Sequence, residues 1–133
     1  MRIFVGNRVH PGTVGLHIQA RPPKWLAEMG SVPVLKPSGG MVEMMKRLVE
    51  DRKAGKPMDE QLFAGYRLAY ETALSGLDLS PGKLLDARGV SVPADVTLIC
   101  TCSREEAAAE RCHRTWLCRF LDRAGWEIWK DWE

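Results

Sequence analysis

Hydrophobic residues fall into short runs at several points of the chain, and the composition of each run predicts a strand. Residues 2–5, Arg-Ile-Phe-Val, predict a short strand that stops at Gly6 and Asn7, which favour a turn. Residues 96–100 are continuously apolar or β-branched, as is typical of a strand covered on both faces in a parallel sheet. Residues 126–129 alternate between apolar and polar types and predict a final strand.

Apolar residues three and four positions apart predict helices between these strands. One helix covers residues 41–53, and a second starts after Asp59 as its N-cap and stops at Gly76. A third is marked by apolar residues 116–121 and ends at residues 124–125. The strand, helix and strand at the C-terminal end therefore form a βαβ unit.

Two segments give weaker signals. Residues 10–40 are rich in glycine and proline, and we expect a loop-rich stretch there with one helical turn at residues 23–29. Residues 104–111 are rich in alanine and charged side chains, which predicts a solvated insert that forms one helical turn. Trp126 and Trp132 share one face of an extended chain and Trp129 the other, which predicts burial on both sides or, alternatively, a partner surface.

Together these elements predict one α/β domain spanning residues 1–133. We expect a small, mostly parallel sheet flanked by helices in a Rossmann-like three-layer arrangement. The length of 133 residues matches one domain and allows a real hydrophobic core. A composition of 45% hydrophobic and 27% charged residues excludes a wholly disordered chain.

Charge and hydropathy narrow the class of protein further. The net charge of +2 is too small to indicate a nucleic-acid or membrane binder by itself. No apolar run approaches the roughly 20 residues of a membrane-spanning helix. Arg8 interrupts the first apolar run too early for a signal peptide, so we expect a soluble, cytoplasmic protein.

All four cysteines lie in one short part of the chain, at Cys100, Cys102, Cys112 and Cys118. A secreted disulfide framework would distribute its bridges over the whole domain. This clustering instead predicts local thiol or metal chemistry in a reducing compartment.

The main functional candidate is Cys112-His113-Arg114, which follows the buried strand and opens the next helix. Ligands of open α/β sheets bind beyond the carboxyl ends of the strands, near helix N-termini. There, Arg114 would bind an anion, His113 would exchange protons near neutral pH, and Cys112 would be a thiolate nucleophile or a cap. The predicted function is binding of, or catalysis on, a phosphate-bearing ligand such as a nucleotide or nucleic acid.

A second interpretation is a zinc-stabilised binding module. Three thiols and one imidazole, from Cys100, Cys102, Cys112 and His113, are a sensible zinc ligand set. Their spacing differs from that of common zinc motifs, and adjacent Cys112 and His113 require some distortion of the backbone to bind one ion.

A third interpretation assigns no site at all. Cys100 and Cys118 are then small core residues, and His113 is a capping or hydrogen-bonded side chain. Cys118 fits this description best, because it lies among apolar residues of the last predicted helix. The glycine-rich phosphate loops and the Gly-x-Ser-x-Gly elbow are absent, so no standard route to phosphoryl or acyl transfer is indicated.

Two further patches are candidate ligand-binding surfaces. Arg21 and Lys24 flank two prolines beside Trp25, an arrangement that can hold phosphate and stack a base. The simpler interpretation is a stiff loop whose Trp25 covers the edge of the core. Ser38 precedes the helix of residues 41–53, where it marks either an anion-binding turn or a plain N-cap.

The strand of residues 96–100, followed by Cys112-His113-Arg114, Trp116-Leu117 and residues 121–126, resembles the C-terminal half of the domain of unknown function 488 family. The resemblance covers residues 96–128. It implies a small α/β fold with a site around the Cys-His-Arg triplet, and it implies no particular reaction. The chain differs from the family pattern at Cys102, where an acidic residue is usual, and in its longer loop.

Overall fold

The computed structural model describes all residues from 1 to 133 and contains one sheet of five strands, all of them parallel. The strands are β1 (Arg2–Gly6), β2 (Val14–His17), β3 (Gly30–Ser31), β4 (Val96–Ile99) and β5 (Glu127–Lys130). Their order across the sheet is β3-β2-β4-β1-β5. The predicted α/β class with a parallel sheet in a single domain is therefore confirmed.

Five α-helices connect or flank the strands. They are α1 (Lys24–Ala27), α2 (Gly40–Lys53), α3 (Glu60–Ser75), α4 (Arg104–Ala108) and α5 (His113–Arg123), with a 3₁₀ turn at Pro33–Leu35. None of them combines the length and apolar character that a membrane span requires.

The helix ends predicted from the sequence are confirmed for α3. The Asp59 carboxylate accepts a hydrogen bond from the backbone N–H of Leu62 at 3.0 Å, as an N-cap does. Gly76 is the C-cap residue. The start of α2 differs from the prediction, because Gly39 occupies the N-cap position with a positive φ of 57° and Ser38 makes no capping bond.

Two strands lie inside the segment that the sequence predicted to be loop-rich. β2 and β3 are short. In β2 the apolar residues Val14 and Leu16 alternate with a glycine and a histidine, but this four-residue pattern is weak within a segment rich in glycine and proline. Gly15 allows close packing: a Cβ at this position would lie 2.9 Å from the side chains of both Ile99 and Val9. Pairing with β4 rather than local preference makes this segment a strand.

The main hydrophobic core lies between one face of the sheet and helices α2, α3 and α5. Ile3 and Val5 of β1 belong to it, together with the fully buried Trp116 of α5. The rings of Phe63 and Tyr66 contact Trp116 edge-on, each with its centroid 5.5 Å away.

The opposite face of the sheet is covered by the loop of residues 7–13 and by the α1 segment. The backbone N–H of His10 donates to Thr97 Oγ1 at 3.1 Å, and the His10 ring stacks on Phe4. Leu26 of α1 is also buried, but it does not belong to the main hydrophobic core, which lies between the sheet and helices α2, α3 and α5. The sheet is thus the middle of three layers, as predicted.

β1 and β4 are adjacent, and the chain leaves their carboxyl ends toward opposite faces of the sheet. After β1 it crosses the face that carries Phe4, whereas after β4 it enters α4 and α5 on the core side. Such a switch point opens a crevice at the carboxyl edge, where ligands bind in open α/β sheets.

Tyr70 provides a test of the packing between α3 and the 3₁₀ turn. Its buried hydroxyl donates to the Leu35 carbonyl at 2.6 Å, whereas the Tyr66 hydroxyl makes no hydrogen bond. We expect Tyr70→Phe to lower the free energy of unfolding by about 1–2 kcal/mol, because it leaves a buried carbonyl unpaired. Tyr66→Phe is the matched control, with an expected change below about 0.5 kcal/mol. Urea denaturation of both variants measures the difference, and equal effects would contradict this account.

Candidate functional site

Three of the four cysteines meet at the carboxyl edge of the sheet. Cys100 directly follows β4 and extends its pairing, because its backbone N–H donates to the Gly6 carbonyl at 3.2 Å. Cys112 is the N-cap residue of α5, and Cys102 lies in the loop between β4 and α4. The sequence predicted free or metal-bound thiols, but Cys102 and Cys112 form a disulfide, with their Cα atoms 6.6 Å apart. The two residues meet because the loop after β4 folds back onto the start of α5.

Cys100 is a free thiol against this disulfide. Its Sγ lies 3.6 Å from the Sγ of Cys112, and both residues are buried. Burial raises the pKa of the Cys100 thiol, while the nearby charge of Arg114 opposes that shift. Cys112 was predicted as a thiolate nucleophile; as a half-cystine it has no thiolate to offer.

His113 is buried at the first turn of α5. Its Nε2 lies 2.8 Å from the Ile18 carbonyl, which can only accept, so Nε2 carries the proton and Nδ1 keeps a lone pair. Burial is the main reason that the pKa of His113 falls to about 4. The imidazole is neutral at pH 7, which corrects the prediction that His113 exchanges protons near neutral pH.

Arg114 is completely buried, although the sequence predicted that it would bind an anion. Its Nη2 donates to the carbonyls of Cys102 at 3.3 Å and Ser103 at 3.2 Å. Its Nη1 lies 3.5 Å from Asp131 Oδ1, and the guanidinium lies over the ring of Trp132. Burial lowers the pKa of Arg114, and the Asp131 carboxylate opposes this. Arg114 therefore holds strand ends together and presents no charge to solvent.

The predicted zinc ligands are close together. The ligand atoms of Cys100, Cys112 and His113 lie within 4.8 Å of one another, and Cys102 is bonded to Cys112. The backbone is extended at Cys112 and helical from His113 onward, so the two adjacent side chains turn toward the same point. The backbone distortion expected at Cys112 and His113 is therefore the ordinary change from an extended N-cap residue to the first residue of a helix.

The structure also tests the predictions for Cys118 and for the insert of residues 104–111. Cys118 is buried on α5 and its pKa is raised to about 12 by burial, which confirms it as a core residue. The insert of residues 104–111 forms α4, as the expected helical turn, and a capping box of Ser103 and Glu106 starts it. The insert is not wholly solvated, because Ala107 is fully buried.

The other predicted ligand-binding residues lie elsewhere. Arg21, Lys24, Trp25 and Ser38 are all exposed, and none of them lines the main groove described below. Trp25 remains 53% exposed, so it does not cover the core edge. Trp129 is also largely exposed, at 49%, whereas Trp126 is buried. The expectation of burial on both sides of the last strand is therefore wrong for Trp129.

A groove of about 510 Å³ opens at the switch point, on the face of the sheet opposite the long helices. Its walls come from the ends of β1 and β5, the loop of residues 7–11 and the first residue of α4. The charged or aromatic lining residues are Phe4, Arg8, His10, Arg104, Trp129, Lys130, Asp131 and Glu133.

Cations outnumber anions around this groove. Lys130 Nζ pairs with Glu133 at 3.1 Å, and Arg104 Nε lies 3.8 Å from Asp131 Oδ2. Arg8 is exposed and has no ion-pair partner. Because Asp131 also faces the buried Arg114, the groove retains an excess of positive charge.

Aromatic rings form one wall of the groove. The rings of Phe4 and His10 stack with centroids 4.0 Å apart, and Trp129 lies 6.1 Å from Phe4. The sequence reasoning missed this set, although one signal was present: Arg8, His10 and Asp131 all follow parallel strands. Residues that follow parallel strands meet at one edge, but only the strand order shows that β1 and β5 are neighbours.

Comparison with known proteins finds no matching family model, no matching curated protein and no matching solved structure.

Asp131 tests the role of the buried guanidinium. Asp131→Asn keeps the shape of the side chain but leaves the charge of Arg114 without a counter-charge. We expect a loss of about 2–4 kcal/mol in the free energy of unfolding, measured by urea denaturation. Glu133→Gln removes an exposed partner of Lys130 and should cost less than about 1 kcal/mol. A variant of Asp131 as stable as that control would contradict the structural role of the pair.

His113 gives the stability a defined pH dependence. Its pKa is about 4 in the folded chain and near 6.5 when unfolded, so the unfolded state binds the proton first. The stabilisation that the neutral His113 contributes is complete above pH 6.5. As the pH falls toward 4 this stabilisation is lost, which lowers the free energy of unfolding by about 3 kcal/mol in total. His113→Gln keeps a donor for Ile18 and should flatten the profile relative to the parent protein. Chemical denaturation between pH 4 and 7.5 with a chelator present measures this, and equal slopes would contradict it.

Proposed function

We propose that the protein binds a phosphate-bearing ligand of the nucleotide class in the groove at the carboxyl ends of β1 and β5. One observation carries the proposal: the unpaired cation Arg8 and the exposed ring of Trp129 line the same groove at the switch point of the sheet. The proposal concerns binding and assigns no reaction.

The charged side chains support recognition of phosphate. A guanidinium presents parallel N–H donors that match two phosphate oxygens, and Arg8 and Arg104 each supply one. Lys130 adds a third positive charge, which an incoming phosphate would share with Glu133. Arg8 has no ion-pair partner that a phosphate would have to displace, so we expect Arg8 to contribute most to the affinity.

The aromatic side chains support recognition of a base. Trp129 offers a flat apolar surface, and the stacked pair of Phe4 and His10 lies beside it. Stacking of a nucleobase on an aromatic side chain contributes about 1–3 kcal/mol. The volume of about 510 Å³ falls in the usual range for small-ligand sites, roughly 300–1,000 Å³.

The Cys-His-Arg triplet has an indirect role in this proposal. Arg114 faces Asp131, whose Oδ2 accepts the backbone N–H of Asn7 at 2.9 Å. That contact fixes the point at which the chain leaves β1 and enters the loop carrying Arg8. Arg114 is thus a positioning residue for the groove. We also propose membership of the domain of unknown function 488 family, supported by the residue pattern of 96–128 alone.

Calorimetric titration with adenosine diphosphate, adenosine, inorganic phosphate and a short single-stranded oligonucleotide tests the proposal. We expect Arg8→Gln and Trp129→Ala each to weaken diphosphate binding by about tenfold, the equivalent of one charge-assisted hydrogen bond or one stacked base. Adenosine should bind more weakly than the diphosphate, and added salt should weaken the diphosphate further.

Matched controls exist on the other predicted patch. Arg21→Gln removes an exposed arginine and Trp25→Ala a tryptophan of similar exposure, both outside the groove. Both controls should bind like the parent. If only these two lose binding, the ligand occupies the Arg21–Trp25 surface and the groove assignment is wrong. If adenosine binds as tightly as the diphosphate, phosphate recognition is wrong.

A further inference from the structure

We infer that Cys100, Cys102, Cys112 and His113 form a four-coordinate zinc site in the reduced protein, and that the Cys102–Cys112 disulfide is the closed, metal-free state of the same site. The inference rests on the cysteine cluster and does not depend on nucleotide binding in the groove.

The sulfur positions support a shared ion. The Sγ atoms of Cys100 and Cys112 lie 3.6 Å apart. Two thiolates on one tetrahedral zinc, each with a bond of about 2.3 Å, are separated by about 3.8 Å. These two sulfurs therefore need almost no movement. The Sγ of Cys102 is bonded to that of Cys112 but does not belong to the group of atoms within 4.8 Å of one another, so it has to move after reduction to become the fourth ligand.

His113 already has the environment of a zinc-binding histidine. Such residues donate one ring N–H to a backbone carbonyl or carboxylate, which orients the other nitrogen toward the metal. The Nε2 of His113 is protonated against the Ile18 carbonyl at 2.8 Å, so Nδ1 is the atom that would bind zinc. One ring nitrogen of His113 and the sulfurs of Cys100 and Cys112 already lie within 4.8 Å of one another.

Arg114 provides a second, independent observation. Its Nε and Nη1 are buried and form no hydrogen bond, which is a costly arrangement for a guanidinium. Zn²⁺ with three thiolates carries a net charge of −1, and Arg114 directly follows two of the proposed ligands, Cys112 and His113, in the chain. A negatively charged site beside it would add to the counter-charge that Asp131 supplies, whereas the neutral disulfide adds none.

Burial indicates a structural site rather than a catalytic one. Cys100, Cys112 and His113 are all buried, and Cys102 is partly exposed at the rim. Four protein ligands leave no open position for water, which is typical of structural zinc. Cys102 is therefore the ligand that solvent reaches first, and its side of the site is where oxidation would begin.

The disulfide form and the zinc-bound form interconvert by two-electron reduction and oxidation. A dithiol reductant transfers two electrons and two protons to the disulfide and becomes a disulfide itself. Zinc binding then releases the protons of three thiols. In the reverse direction, hydrogen peroxide takes two electrons from the Cys102 and Cys112 thiolates and, with two protons, becomes two water molecules. The Cys102–Cys112 bond forms, zinc leaves to solvent, and Cys100 takes up a proton.

Zinc binding to the full chain, measured with a competing chromophoric chelator and by elemental analysis, tests the inference. We expect about one zinc per chain after reduction with a phosphine under anaerobic conditions, and none after stoichiometric peroxide. Tandem mass spectrometry of the oxidised chain should identify a Cys102–Cys112 bond. Cys102→Ser should weaken zinc binding about 100-fold or more.

Cys118→Ser is the matched control, because Cys118 lies on α5 outside the cluster and a serine hydroxyl can keep its bond to the Arg114 carbonyl. It should bind zinc like the parent. Cobalt(II) absorption of the parent gives a readout that needs no variant to fold, since intense visible bands are typical of tetrahedral thiolate coordination. Circular dichroism of each variant checks its folding.

Three results would overturn the inference. Reduced parent protein that binds no zinc and shows no tetrahedral cobalt spectrum excludes the site. Zinc binding by folded Cys102→Ser as tight as in Cys118→Ser excludes the four-ligand set. Oxidised protein that retains its zinc excludes the disulfide as the closed state.

Discussion

The buried guanidinium of Arg114 is the interaction on which the carboxyl edge of the sheet depends. It donates to the carbonyls of Cys102 and Ser103 after β4, and it faces the carboxylate of Asp131 after β5. Asp131 in turn accepts the backbone N–H of Asn7 after β1. One side chain of α5 thus links the ends of three neighbouring strands. The carboxylate of Asp131 and the two carbonyls together offset the cost of burying its charge.

This link separates two candidate sites that lie on opposite sides of it. Asp131 lines the cationic, aromatic groove on the outer face of the sheet. On the core side, the start of α5 places Cys112 and His113 against Cys100. The groove suits a nucleotide-like anion, whereas the cysteine cluster suits a metal or a disulfide. The contact between Arg114 and Asp131 is one direct connection between the cluster and the groove.

Part of the cysteine cluster could be predicted from the sequence. Cys100 was placed correctly because the apolar run before it is continuous, and Cys118 because it lies among apolar residues of α5. The role of Arg114 was predicted wrongly, since a sequence cannot show that Asp131 arrives beside it from a distant strand. The neutral state of His113 depends likewise on burial under α3 and on the Ile18 carbonyl.

By itself, the sequence determined the α/β class, the three long helices with both ends of α3, and strands β1, β4 and β5. These are local properties: apolar spacing, caps and β-branched runs act within a few residues. Only the tertiary structure decided that residues 14–17 form a strand, that β1 lies between β4 and β5, and that Arg8 and Trp129 share a groove. Strand order and burial depend on contacts between residues about 100 positions apart, and no local pattern encodes them.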